Sequence, residues 1–255
     1  QGLGDIIQFS RFVVSLSKLA GHVLFAIPDT LIELFANDSS QFTVISEKNL
    51  PTEYDYYCPL MSLPHVLKLT NNALSTTPPL LSANSKEIIS WESILGKKRG
   101  SLRVGITWSG NPSFKKDHLR SLSLEDFIKC LPNEGIDYVC LQKEIRPRDQ
   151  AKIMECTNIR FVHQDIKDFS DTAALIECMD LVVTTCTSVA HLAGSLNKPC
   201  WVLLPYAPDW KWFTDSTSSP WYPSVRLFRQ QKIGDWNNVF ATIKTELIKM
   251  VNEND

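Results

Sequence analysis

The sequence predicts an α/β protein built from two successive halves, each with a parallel sheet. Short apolar segments, with the length of buried strands, alternate with longer segments whose apolar residues recur at helical spacing. The connections between them are short, which favours parallel sheets with helices on both faces. A polar segment, KKRGS at residues 97–101, separates two such series. We therefore expect two α/β domains joined near residue 100.

The first half begins with a glycine turn that leads into Asp5 and a helix reaching Ala20. Buried strands are predicted at residues 22–27 and 42–45, on either side of a second helix at 28–35. A strand normally precedes a turn of this kind. We therefore expect the first strand of the fold to lie upstream of residue 1, in a longer chain.

The second half repeats the alternation and ends in an amphipathic helix. Its strands are predicted at residues 103–108, 138–141, 160–162, 181–183, 200–204 and 225–228. We divide the chain into three parts: an N-terminal Rossmann-like domain at 1–98, a C-terminal Rossmann-like domain at 99–232, and a C-terminal helix at 233–255. We expect this last helix to pack back on the N-terminal domain.

Composition excludes several classes of protein. A net charge of −2 gives no basis for nucleic-acid binding, which usually needs a basic excess. The sequence lacks both an apolar run long enough to span a membrane and a signal peptide. Its seven cysteines are scattered without a CxxC pair, and its five histidines lack metal-ligand spacing, which indicates free thiols, no metal site and a cytoplasmic protein.

One stretch, LVVTTCTSVAHLAGSLNKPCWVLLP at residues 181–205, predicts a strand, a tight turn, a helix and a second strand. The first strand ends at Val183, small residues form the turn, and Thr187 or Ser188 caps the helix. Backbone N–H groups at a helix N-terminus lack partners within the helix and carry partial positive charge. The turn is therefore a candidate site for a phosphate or diphosphate. An ordinary helix cap in a βαβ unit is an equally good interpretation.

His191 lies one turn into the same helix and admits two interpretations. It is a candidate ligand for the bound anion. A histidine packed on the sheet, with its polar atoms satisfied, explains it equally well.

A second polar loop, SGNPSFKKDHLRS, follows Trp108. Lys115, Lys116 and Arg120 bring positive charge to the mouth of the second sheet, as a leaving diphosphate would require. A solvated basic loop is the simpler interpretation of these residues taken alone. The polar loops all fall where strands lead into helices, however, and ligands of doubly wound sheets bind beyond the carboxyl ends of strands.

Seven segments together resemble one known family. They are GLGDIIQF, CPLMSLP, VGITWSGNPSFKKDHLRSL, LQKE, DFSDTAALIECMDLVVTTCTSVAHLAGSLNKPCWVLLP, APDWKWF and SPWYPSVRLFRQ. In this order they resemble the glycosyltransferase domain at the C-terminus of bacterial tetratricopeptide-repeat proteins, which is related to glycosyltransferase family 9 and its heptosyltransferases.

The resemblance implies a GT-B architecture, in which two Rossmann-like domains face a cleft. It implies inverting, metal-independent transfer of a hexosyl or heptosyl group from a nucleotide-diphosphate sugar, with no other cofactor. The acceptor would be a hydroxyl of a glycan, lipid or protein, and tetratricopeptide repeats would precede the domain. The residues at 1–98 would then form the acceptor side and those at 99–232 the donor side.

The resemblance also assigns roles to individual residues. Asp5 matches the family's catalytic base, and Lys115 and Arg120 match basic residues that face the donor phosphates. The donor-binding set that follows from it consists of Gly4, Ser109, Gly110, Asn111, Gln142, Lys143, Thr187, Ser188, Val189 and His191.

Cys186 departs from the family pattern, which usually has an aspartate there. A carboxylate at this position would bind hydroxyls of the donor sugar, and a thiol is a poor substitute because its hydrogen bonds are weak. We do not expect Cys186 to act as a nucleophile. Two alternatives to a transferase follow: a nucleotide-sugar-binding or protein-interaction module with impaired catalysis, and a nucleotide-sugar epimerase of the same architecture.

Overall fold

A computed structural model of the chain describes residues 2–36, 41–70, 81–214 and 216–254. The first half begins with a helical segment in which a 3₁₀ turn (Ser10–Phe12) separates two short α-helices. Its helices are α1 (Leu3–Phe9), α2 (Val13–Ser17), α3 (Ile32–Ala36), α4 (Leu63–Val66) and α5 (Ser85–Leu95), and its strands are β1 (Leu24–Ile27) and β2 (Thr43–Ser46). The strands β1 and β2 pair in parallel as a two-stranded sheet.

The second half contains six strands and six helices within the described ranges. The strands are β3 (Leu102–Thr107), β4 (Ile136–Cys140), β5 (Ile159–Phe161), β6 (Leu181–Thr185), β7 (Cys200–Leu204) and β8 (Val225–Arg229). The helices are α6 (Asp117–Arg120), α7 (Leu124–Phe127), α8 (Gln150–Glu155), α9 (Phe169–Glu177), α10 (Ser188–Ser195) and α11 (Asn237–Asn254). A 3₁₀ turn, Trp210–Trp212, lies in the loop between β7 and β8.

All six strands of the second half pair in parallel, in the order β5-β4-β3-β6-β7-β8. The chain builds outward from β3 in one direction and from β6 in the other. The strand order therefore reverses between β3 and β6, and the loops that leave their carboxyl ends border a crevice. The predicted polar loop after Trp108 and the predicted phosphate turn are these two loops.

Alternate residues of the six strands pack into two apolar cores, one on each face of the sheet. One face packs against α9 and α10 and continues into the first half, so that a single core joins the two halves. It includes Ile6, Phe9, Phe12, Leu34, Trp91, Val139, Leu175, Val182, Leu192, Val202 and Trp221. The opposite face packs against α7 and α11 through Val104, Trp108, Phe127, Tyr138, Val183 and Leu203.

Three expectations need correction. The C-terminal helix packs on the second sheet, through Ile243 and Leu247, and not on the first half, because its apolar stripe matches the open face of that sheet. Strand β1 is half buried, since its residues alternate and Leu24 is 40% exposed. Strand β6 continues to Thr185, because its register with β7 extends to that residue, so the turn is shorter than predicted.

No helix within the described parts of the chain combines the length and the apolar composition that crossing a bilayer requires.

Gly194 provides a test of this packing, because it lies where α10 meets the ring of Tyr222. A Cβ at Gly194 would lie 2.5 Å from Tyr222 Cγ. In an open helix, alanine would stabilise the fold by about 0.5–1 kcal/mol relative to glycine. Here we expect Gly194→Ala to lower the free energy of unfolding by about 1–3 kcal/mol, because the ring must move. Urea denaturation measures this change.

Gly21→Ala is the control, since a Cβ at Gly21 meets no atom within 4 Å. This variant should leave the urea midpoint nearly unchanged. Equal midpoints for the two variants would contradict the close packing of α10 on Tyr222.

Candidate active site at the carboxyl edge of the parallel sheet

The loop after β3 and the turn after β6 meet through Arg120. Its Nη1 atom donates a 2.7 Å hydrogen bond to the carbonyl of Cys186, immediately before α10. Its Nε atom donates to Asp117 Oδ1 at 3.3 Å, and its guanidinium lies 4.6 Å from the ring centre of Phe114. A cation is thereby held at the end of α10 where the helix dipole is also positive.

The N-terminus of α10 differs in detail from the expected cap. Thr187 occupies the N-cap position, but its side chain does not cap the helix and instead lies 3.3 Å from the hydroxyl of Thr184. Thr187 and Val189 are buried and Ser188 is half buried. Because the Thr187 hydroxyl is engaged within the protein, an anion at this turn would bind mainly to the backbone amides.

Helix α1 lies directly against this turn. A Cβ at Gly4 would lie 2.8 Å from His191 Cδ2 and 3.4 Å from Ser188 Cα, so only glycine permits this approach. The next residue, Asp5, accepts a hydrogen bond from the backbone of Gly2 at 3.2 Å. The expected carboxylate near the start of the chain and the expected anion turn thus lie on helices that are in contact.

Lys211 completes this junction, and the sequence reasoning missed it. Its ammonium lies 2.7 Å from Asp5 Oδ1 and 3.0 Å from Asp209 Oδ1, and the residue is only 5% exposed. Burial alone would lower the pKa of Lys211, but hydrogen bonding and charge from Asp5, followed by Asp209, raise it overall. The signal available was the segment APDWKWF, in which a lysine stands among aromatic residues.

His191 is a buried, neutral histidine. Its Nδ1 atom lies 3.1 Å from the hydroxyl of Tyr222, and its ring stacks on Trp212 with centroids 5.0 Å apart. Burial lowers the pKa of His191 to about 3, and the neighbouring charge of Lys211 adds to the effect. The imidazole therefore carries no positive charge at neutral pH, which favours the interpretation of His191 as a satisfied packing residue.

Gln142 and Ser109 form a clamp between the ends of β4 and β3. Gln142 Oε1 accepts hydrogen bonds from the backbone of Trp108 at 3.1 Å and of Ser109 at 3.0 Å. Gln142 Nε2 donates to Ser109 Oγ at 2.5 Å and to the carbonyl of Glu144 at 2.9 Å. Both side chains are buried, so their role in this structure is to fix the shape of the crevice wall.

A buried ionic network supports the loop from behind. Asp117 accepts hydrogen bonds from Arg120, from Arg146 and, at 2.8 Å, from Ser121. Gly110 lies against this network, since a Cβ there would lie 2.8 Å from Arg120 Nη2. Two guanidinium groups share one carboxylate, which leaves an excess of positive charge beside the crevice. Asp117 and Arg146 were not among the individual site residues predicted from the sequence, although both lie in the predicted polar loops after β3 and β4.

The remaining predicted residues lie on the exposed rim. Lys115 and Asn111 are exposed in the loop after β3, where Asn111 Oδ1 accepts a 2.9 Å hydrogen bond from the backbone of Ser113. Lys143 is exposed after β4, and its ammonium donates to the carbonyl of Lys167. The structure thus does not bring Lys115 and Lys143 into the junction of Asp5, Lys211 and α10.

Cys186 is buried beneath the loop between β7 and β8, which contains Trp210, Trp212 and Trp221 and is called the aromatic loop below. Its sulfur accepts a hydrogen bond from Trp212 Nε1 at 2.9 Å, and the residue is 7% exposed. Burial raises the pKa of the Cys186 thiol, against the opposing charge of Arg120, so the thiol stays protonated at neutral pH. A protonated, enclosed thiol agrees with the expectation that Cys186 is not a nucleophile.

The fold of this chain is similar to that of glycosyltransferases of family 9. The structure superposes on a family 9 glycosyltransferase from Veillonella parvula with a TM-score of 0.64 at 13% identity, covering 99% of this chain and 94% of that one. The ADP-heptose lipopolysaccharide heptosyltransferase II of E. coli gives a TM-score of 0.57 at 14% identity, covering 99% and 97%. The predicted resemblance is therefore confirmed at the level of the fold.

Two further proteins are similar to this chain. The heptosyltransferase TibC, solved with ADP-D-β-D-heptose, gives a TM-score of 0.56 at 10% identity and covers 99% of this chain and 74% of that one. FlbA of Caulobacter vibrioides is 24% identical over 272 residues, which cover 97% of this chain. The chain spans about 45% of the length of FlbA. No protein-family model matches the sequence.

Acid titration tests the environment of His191. In the unfolded chain a histidine binds a proton below its ordinary pKa of 6.5, whereas folded His191 does so only near pH 3. The contribution of His191 to the free energy of unfolding is therefore complete above pH 6.5. It falls as the pH drops, by about 2 kcal/mol between pH 6.5 and 5. We expect His191→Asn to remove this part of the pH dependence, as measured by urea unfolding at each pH.

His118→Asn is the matched control, because His118 is exposed. It should preserve the acid dependence of the original chain. If the His191 and His118 variants lost stability in parallel with the original chain between pH 6.5 and 5, His191 would not be the buried neutral group described.

Proposed function

We propose that this chain is a glycosyltransferase that moves a sugar from a nucleotide-diphosphate donor to an acceptor hydroxyl, with inversion and without a metal. The observation that carries the proposal is the direct contact between α1, which bears Asp5, and the N-terminus of α10, whose first amides have no partner within the helix and lie beside Arg120. A carboxylate and a helix N-terminus of the kind that suits an anion thus lie together beside the strand-order reversal, where ligands of such sheets bind.

The donor diphosphate would bind at the N-terminus of α10. The backbone amides of Thr187, Ser188 and Val189 would bind its oxygens, and Arg120 would supply a fixed positive charge. Lys115 would approach from the rim as a more mobile cation. These charges would stabilise the nucleoside diphosphate as it leaves.

Asp5 would act as the general base. The acceptor oxygen attacks the anomeric carbon and forms the new C–O bond, while the bond from that carbon to the phosphate oxygen breaks. The electron pair leaves with the nucleoside diphosphate, and the acceptor proton passes to the Asp5 carboxylate. Attack from the face opposite the leaving group inverts the anomeric configuration.

The donor and the cellular setting are proposals of the same kind. Two structural neighbours act on or bind ADP-heptose, so ADP-heptose is the first donor to test, ahead of UDP and GDP sugars. All seven cysteines are free thiols, which supports a reducing, cytoplasmic location, and the bacterial source of FlbA supports a bacterial setting. Tetratricopeptide repeats upstream of the domain stay a prediction.

One observation favours the alternative of a nucleotide-sugar-binding module without turnover. The side chain at position 186 is a buried thiol engaged by Trp212, so it presents no carboxylate to a donor sugar. Such a module would bind nucleotide diphosphates through α10 and Arg120 but transfer nothing. Measured binding, together with mass analysis of every donor and acceptor mixture, distinguishes the two functions.

Replacement of the base tests the transferase. We expect Asp5→Asn to lower kcat about 100-fold or more, because a positioned base contributes about 10²–10⁴-fold. Donor affinity, measured by calorimetry, should change by less than about threefold. Asp29→Asn is the control, since Asp29 also begins a helical segment in the first half and pairs with Lys48 at 2.6 Å. Unchanged turnover in Asp5→Asn would exclude this residue as the base.

Replacement of Arg120 tests the diphosphate site. We expect Arg120→Met to weaken binding of ADP or UDP about 10- to 100-fold, because it removes a charge-assisted contact at the helix end. Arg148→Met is the matched control, since Arg148 donates one comparable hydrogen bond to a backbone carbonyl, that of Leu122, at 2.6 Å. Equal affinities in both variants would place the nucleotide elsewhere.

A further inference from the structure

Lys211 stands out because its ammonium is buried yet belongs to a surface loop between β7 and β8. A buried ammonium is unfavourable unless it is paired and hydrogen-bonded. Two carboxylates meet this requirement: Asp5 of the first half and Asp209 of the same loop. Asp5 and Lys211 are 206 residues apart in sequence, so this pair joins the two halves.

The aromatic loop holds Lys211 in place. Asp209 begins the 3₁₀ turn and accepts a hydrogen bond from the backbone of Lys211 at 3.2 Å. The carbonyl of Lys211 accepts a 3.0 Å hydrogen bond from Trp221 Nε1. The next residue, Trp212, is fully buried and stacks on His191 of α10. The backbone that carries the ammonium is therefore anchored on both sides.

Each carboxylate oxygen of Asp5 is held by a different part of the chain. Oδ2 accepts from the backbone of Gly2, at the start of α1, and Oδ1 accepts from Lys211. Because each oxygen accepts a hydrogen bond from a different donor, the orientation of the carboxylate is fixed. The side chain still keeps 23% of its surface exposed, which leaves room for an acceptor hydroxyl to approach.

We propose that Lys211 is the positioning residue of the reaction: it orients the Asp5 carboxylate toward the acceptor. This inference rests on the proposed function, since it assigns a role relative to the base. Lys211 remains charged throughout the physiological range because hydrogen bonds and charge from Asp5 and Asp209 outweigh its burial. Its contribution is made through Asp5 and requires no contact with the substrate.

The test compares variants of Lys211 in the full chain, using ADP-heptose and a panel of UDP and GDP sugars. Lys211→Met is expected to lower kcat about 10- to 100-fold while the KM for the donor stays within about threefold, because the donor site is unchanged. Lys211→Arg retains the cation and should restore kcat to within about fivefold of the original chain. Melting temperatures check that each variant is folded.

Lys198→Met is the matched control. Lys198 also pairs a partly buried ammonium with a carboxylate, Glu177 at 3.1 Å, but it lies beyond the opposite end of α10. Its loss should affect stability without changing kcat. Asp209→Asn provides a second, milder change, since it loosens the ammonium without removing it, and should lower kcat about three- to tenfold. This variant tests the proposal if Lys211→Met does not fold.

The outcomes separate this inference from the proposed function. Absence of transfer by the original chain with every donor would overturn the proposed function itself. Transfer by the original chain, together with an unchanged kcat in folded Lys211→Met, would overturn only the role of Lys211. An equal loss of kcat in Lys211→Met and Lys198→Met would also overturn the role of Lys211, because the loss would then reflect a general effect of stability.

Discussion

The close contact between helices α1 and α10 at Gly4 is the constraint on which the site depends. Because Gly4 has no side chain, the backbone of α1 reaches Ser188 and His191, and Asp5 follows one residue later. The apolar residues on the other side of α1, Ile6 and Phe9, enter the core that both halves share. Hydrophobic burial therefore fixes the separation of the two helices, and this separation sets the distances between the polar residues of the junction.

The charges of the site are arranged on this frame in two groups. Behind the loop after β3, Arg120 and Arg146 share Asp117, which leaves positive charge at the tip of α10. At the junction with α1, Asp5 and Asp209 share Lys211, which leaves negative charge there. A donor with a diphosphate at one end and a reacting carbon at the other matches this polarity: its anionic end would meet the surplus of cations and its reacting end the surplus of carboxylate.

The parallel sheet and the two central loops could be predicted from the sequence because their signals are local. The apolar runs of β6 and β7 and the helix between them are contiguous, and β7 was predicted with its observed ends. The Lys211–Asp5 pair could not be predicted in this way, since its partners are 206 residues apart and its burial depends on three-dimensional packing. The packing of the C-terminal helix was predicted wrongly for the same reason. Its apolar stripe is visible in the sequence, but the sheet against which it packs is not.

The aromatic loop between β7 and β8 connects these observations. Its tryptophans help to build the junction: Trp212 contacts Cys186 and His191, and Trp221 donates a hydrogen bond to the backbone carbonyl of Lys211. Because the side chain at position 186 is a neutral thiol, the charge of Lys211 is balanced by Asp5 and Asp209 and not by residue 186. The proposed transfer therefore depends on the carboxylate of α1, which balances Lys211 and is the group proposed as the base.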